Sequence, residues 1–84
     1  MLLIPNHWTL NKEALYRKFV FKVFNTAFEF IAKVALIAQE QNHHPTWTNT
    51  YNTVEIWLIT HDANNSITDK NIEMAIAINS ITEP

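Results

Sequence analysis

The chain has no glycine among its 84 residues, so every turn that calls for a positive φ must be made by a residue carrying a Cβ. Asparagine tolerates that backbone best, and Asn52 and the Asn64-Asn65 pair are the expected positions. Nothing in the chain reads as a repeat, a linker or a low-complexity stretch, so residues 1-84 are expected to form a single domain. A domain this short buries only roughly 60% of the surface its unfolded chain exposes, which makes oligomerisation an expected supplement to the core.

Periodicity divides the chain into strands and helices. Trp8 to Leu10, a polar turn at Asn11-Lys12-Glu13, and Leu15 to Phe21 read as a strand pair, with Phe19 and Phe21 on one face. From Phe24 to Gln41 the residues Ala27, Phe28, Ile31, Val34, Ala35 and Ala38 recur at helical spacing, and Phe30 and Ile37 widen the stripe. Thr26 with Glu29 forms a potential capping box for this helix, and Asn25 is an equally good cap. Pro45 bars continuation. Trp47 to Tyr51, a turn at Asn52-Thr53, and Val54 to Thr60 read as a hairpin. On its second strand Val54, Ile56, Leu58 and Thr60 share one face, and Glu55, Trp57, Ile59 and His61 the other. Thr68 caps a last helix running to Ile81, with Ile72, Ala75, Ile76 and Asn79 on one side and Met74, Ile78 and Ile81 as a second apolar edge. The order β-β-α-β-β-α predicts an α+β fold, an antiparallel four-stranded sheet with helices packed on one face.

Composition removes several function classes. There is no cysteine, which excludes disulfide scaffolds, thiolate nucleophiles and zinc ribbons. Six basic and eight acidic side chains make no basic stripe, so direct nucleic-acid binding is not expected. The opening Met1-Leu2-Leu3-Ile4 meets Pro5 and Asn6 too soon for a signal peptide or membrane span, and a cytoplasmic protein is expected.

The chemistry gathers at Asn42-His43-His44-Pro45, followed by Trp47 and Tyr51, with His61 closing the apolar run of the second hairpin strand. Imidazoles donate or accept protons near neutrality, and flanking aromatics suit a flat ligand. Taken singly, His43 and His44 would only complement a helix dipole, and His61 would be a strand-end polar residue. A metal site built from His43, His44 and His61 is disfavoured, because adjacent histidines on an extended segment point apart; no metal or cofactor is expected. His7 reads as a surface residue.

Together these residues resemble the pterin-4a-carbinolamine dehydratases. The match adds Arg17, Phe19, Phe21 and Phe24, then Ala27-Phe28, Val34-Ala35, Ala38, Thr60-His61 and Ile67-Thr68, and spans about residues 8 to 81. The resemblance implies a hydro-lyase acting on the carbinolamine left by a pterin-dependent aromatic amino acid hydroxylase, giving quinonoid dihydropterin in cofactor recycling. It also implies that His43 and His61 form the acid/base pair and that His44 positions or binds. Gln39, Asn42, Pro45, Trp47 and Asn71 would bind substrate, with Trp47 part of an aromatic wall. Losing the hydroxyl as water needs a proton donor at the leaving oxygen and a base for the neighbouring ring N–H, and groups of pKa about 6.5 serve either need.

Three positions depart from the family. Gln39 stands where a glutamate is usual, Asn71 where an aspartate is usual, and Val23 where an aspartate commonly caps the long helix. The aspartate matching Asn71 would orient the histidine matching His61, so a weakened catalyst is expected. Animal relatives also serve as dimerisation cofactors of a homeodomain transcription factor. The alternative reading is therefore a catalytically weakened, homodimeric or homotetrameric partner-binding protein or transcription cofactor.

Overall fold

A computed structural model describes residues 4–59 and 67–82. Thr60, His61, Asp62 and the Asn64-Asn65 pair lie outside those residues.

The chain runs β1 (Thr9–Asn11), β2 (Ala14–Val20), α1 (Phe24–Gln41), β3 (Thr46–Thr50), β4 (Thr53–Leu58) and α2 (Asp69–Thr82). The four strands form one antiparallel sheet in the order β1-β2-β4-β3. This is the expected α+β arrangement. Alternation sets the faces: Leu15 and Phe19 of β2 and Val54, Ile56 and Leu58 of β4 are buried beneath the helices. The opposite face carries the half-buried Tyr16, Glu55 and Trp57, where the Tyr16 hydroxyl donates to Glu55 Oε2 at 2.6 Å. That hydrogen bond first, then desolvation, then the carboxylate's charge hold the Tyr16 phenol above the ordinary tyrosine pKa.

Each helix buries part of the expected stripe. In α1 the buried residues are Ala27, Phe30, Ile31, Val34 and Ala38, while Phe28 and Ala35 face outward. Apolar residues encircle this helix, so periodicity alone does not choose among neighbouring faces. In α2 Met74, Ala75 and Ile78 are fully buried and Ile76 is exposed. The stripe continues back to Asn71, also fully buried, and this polar member hides the stripe from a hydrophobicity pattern.

Without glycine, positive φ falls, among the described residues, on His7, Lys12, Asn42 and Tyr51. Lys12 and Tyr51 each take the first position of a two-residue hairpin loop, between Asn11 and Ala14 and between Thr50 and Thr53. Asn52 is not among them, contrary to expectation. It extends the β2–β4 ladder instead: the Phe21 N–H donates to its carbonyl and its Nδ2 donates to the Phe21 carbonyl, both at 2.8 Å. In this two-residue loop only the first position takes a positive φ, the pattern of a type II′ turn, so the demand falls on Tyr51 and not on Asn52.

The start of α1 also corrects the sequence reading. Its N-cap is Val23, extended at φ −140 and ψ 167, with no side-chain cap; Asn25 and Thr26 already lie in the first turn. Neither the Asn25 cap nor the Thr26–Glu29 box forms, because the chain enters the helix before reaching them.

Candidate active site

The end of α1 builds the site. Asn42 adopts left-handed backbone at φ 51 and ψ 44. Its N–H donates to the Gln39 carbonyl at 3.3 Å, and the next N–H, of His43, donates to the Ala38 carbonyl at 3.0 Å. This pair of bonds is a Schellman closure, in which glycine is the usual occupant and asparagine the next best. Its consequence is directional: the residue after the left-handed position turns back toward the helix and, in this chain, enters the interior. That residue is His43, only 8% exposed.

The first turn of α2 comes to meet it. Asn71 sits three residues after Thr68, and its Oδ1 accepts the Thr68 N–H at 2.9 Å and the Thr68 hydroxyl at 3.4 Å. The spacing is that of a capping box, with the side chain at the third helical position reaching back to the cap residue's N–H. The other end of the same amide, Nδ2, lies 3.0 Å from His43 Nε2. Asn71 is fully buried, where an amide lacking partners would cost about 1–3 kcal/mol, and both of its polar atoms are engaged.

His43 and Asn71 are therefore brought together from positions 28 apart in sequence. His44, Gln39 and Asn42 are exposed around the same helix end, and half-buried Pro45 leads into β3. Trp47 lies opposite Ile56 and packs against the core from the helix-facing side of the sheet. His61 lies outside the described residues. The aspartate-matching position was expected to serve His61, which lies outside the described residues; among those described, the Asn71 amide meets His43. Thr68 was expected only as a cap, and its role in aiming the Asn71 amide was missed. The Thr68-x-x-Asn71 spacing was the available signal.

A separate cavity of about 160 Å³, lined by Phe21, Thr26, Glu29, Phe30, Lys33, Ile81 and Thr82, opens beside the other half of α1 and contains none of the expected site residues. Among the described residues, no three histidine or carboxylate side chains cluster as a metal site would require.

The pterin 4 alpha carbinolamine dehydratase family model matches residues 1–81. The chain belongs to that family. A relative from Rhodopseudomonas palustris, described as a putative pterin-4-alpha-carbinolamine dehydratase, is 54% identical over 70 residues, covering 83% of this chain and 68% of the relative. A second, from Bradyrhizobium diazoefficiens and described in the same words, is 46% identical over 82 residues, 95% of this chain and 80% of the relative. The crystal structure of a Brucella melitensis protein described as a transcriptional coactivator/pterin dehydratase superposes with a TM-score of 0.84 at 44% identity, covering 90% of this chain and 82% of that one. In this dehydratase-family chain, the buried His43–Asn71 pair and the exposed His44 stand at one end of the long helix.

Proposed function

We propose that the chain is a pterin-4a-carbinolamine dehydratase, a hydro-lyase of the cytoplasm that recycles the pterin of an aromatic amino acid hydroxylase. The observation that carries the reading is the buried His43, fixed by the α1 closure and by Asn71 beside a second, exposed imidazole on His44. In the reaction the bond between the ring carbon and its hydroxyl breaks as that oxygen takes a proton and leaves as water. The neighbouring ring N–H gives up its proton, and the electron pair left behind forms the new C=N bond of quinonoid dihydropterin. His43, His44 and His61 make up the acid/base site, whose proton handling is a type of catalysis worth about 10²–10⁴-fold. Gln39, Asn42, Pro45, Trp47 and Asn71 shape the substrate's surroundings, with Trp47 offering an aromatic face.

The test is the rate of carbinolamine loss, with the substrate generated by a pterin-dependent hydroxylase and compared with the spontaneous background. Wild-type protein is expected to accelerate it, and His43→Ala to lose on the order of 10²-fold or more of that acceleration. Folded wild-type protein that gives no acceleration would overturn the proposal.

A second reading, assembly as a homo-oligomeric partner-binding protein, is favoured by a different observation. Phe24 and Phe28 stack on each other at 5.8 Å while 43% and 56% exposed, and Leu36 on the same helix is 67% exposed. Bulky apolar groups left outside a small core are what an association surface uses.

A further inference from the structure

The geometry points to Asn71 as a positioning residue that holds His43 as the neutral imidazole protonated on Nδ1, so that His43 is a fixed donor and the proton-accepting step belongs to another imidazole. The second half of this inference rests on the dehydratase reading, and the first half does not.

Thr68 fixes which way the Asn71 amide faces. A backbone N–H can only donate, so the atom of the Asn71 amide 2.9 Å from it must be the oxygen. Flipping the amide would set NH₂ against N–H and strip the first turn of α2 of its cap. The orientation of Asn71 is thereby settled without reference to the histidine. The amide nitrogen that remains, 3.0 Å from His43 Nε2, carries two protons and no available lone pair, so it donates. Nε2 must then present its own lone pair, and a neutral imidazole that keeps Nε2 bare carries its proton on Nδ1.

Burial makes this assignment binding. His43 is 8% exposed and Asn71 is fully buried, so bulk water does not stand ready to replace the bond. An imidazolium at His43 would aim an N–H at an N–H in a site of low dielectric. In its held form, His43 has a proton on one nitrogen and an occupied lone pair on the other. It has nothing with which to accept a proton from substrate unless Asn71 is displaced. Neutral Nδ1–H remains a hydrogen-bond donor, a binding and orienting role.

A carboxylate at position 71 would reverse the ring. One oxygen would keep the Thr68 N–H, and the other, an acceptor only, would demand Nε2–H and leave the lone pair on Nδ1. One atom of one side chain thus determines which face of His43 can act as a base.

The deciding experiment is nitrogen NMR of the full chain labelled on histidine, with the His43 signals assigned by their loss in His43→Ala. Wild-type protein is expected to show a pyridine-like Nε2 and a pyrrole-like Nδ1 at His43, and Asn71→Asp to exchange the two patterns. Turnover of carbinolamine, measured in parallel, is expected to rise about tenfold or more in Asn71→Asp as a further base becomes available. A protonated Nε2 in wild type, or a rapidly averaged pair of tautomers, overturns the inference, and this spectrum decides even if Asn71→Asp fails to fold. A wild-type tautomer as stated, with no turnover in either protein, leaves the positioning role standing and overturns the dehydratase reading. Turnover together with the opposite tautomer does the reverse.

Discussion

The two ends of α1 are built by different means. At its start, Val23 offers no side-chain acceptor, the first turn contains no acidic residue, and Phe24 and Phe28 stack in the open. At its end, a left-handed Asn42 and two backbone N–H groups close the helix, and His43 is carried inward onto α2. The contrast separates what stabilises the helix from what gives it a purpose. Eighteen residues stay helical because Ala27, Phe30, Ile31, Val34 and Ala38 are buried against the sheet and α2, and this tolerates a bare N-terminus. Local polar chemistry is concentrated instead where a histidine has to be held.

If that contrast is right, damage at the two ends should differ in kind. The larger effect is expected at Asn42. Left-handed backbone costs most residues with a Cβ roughly 1–2 kcal/mol, and asparagine escapes part of that. Asn42→Ala should therefore lower unfolding free energy by about 1 kcal/mol in denaturant titration, and Asn42→Gly should restore or exceed wild-type stability. Because the next residue is His43, Asn42→Ala should also slow carbinolamine turnover. A variant that loses stability and keeps full turnover would break the link between the closure and the site. Next in size is Val23→Asp, which supplies the missing cap and should add about 1 kcal/mol with turnover unchanged. A gain of that size at a position far from the histidines would confirm that the start of α1 is left unoptimised and does not serve the site.

Much of this was legible in the sequence, for identifiable reasons. The bounds of α1 match the expected Phe24 to Gln41, since a long helical period ended by Asn42 and Pro45 has few other readings. The strand pairing followed from alternation, and the inner face of β4 was expected as found. The face of α2 was legible only in part, because its buried stripe begins with Asn71, and while the Thr68-x-x-Asn71 spacing signals the capping bond, nothing local announces that the same amide reaches His43. Tyr51 holds a positive φ that looked suited to Asn52, since the two-residue loop between Thr50 and Thr53 takes it only at its first position. Of the candidate site, the residue identities could be read from the histidine cluster. The partner of Asn71 could not, because it depends on where two helix ends meet.

The smallest expected effect sharpens the meaning of the Val23 result. A capping aspartate does two things at once: its oxygen accepts a first-turn N–H, and its charge faces the positive end of the helix dipole. Asn25 lies inside the first turn, where a carboxylate cannot reach the cap position's hydrogen bonds and contributes through charge alone. Asn25→Asp should accordingly add only about 0.3–1 kcal/mol, and that gain should shrink as salt rises, since the Debye length falls from ~10 Å at 0.1 M to ~3 Å at 1 M. Val23→Asp should keep most of its benefit in the same salt series, because a hydrogen bond to the backbone is not screened in that way. If both variants lose their gains together, the start of α1 lacks only charge. If only Asn25→Asp fades, what Val23 withholds is an acceptor, the same kind of group that Asn71 provides to Thr68 at the start of α2.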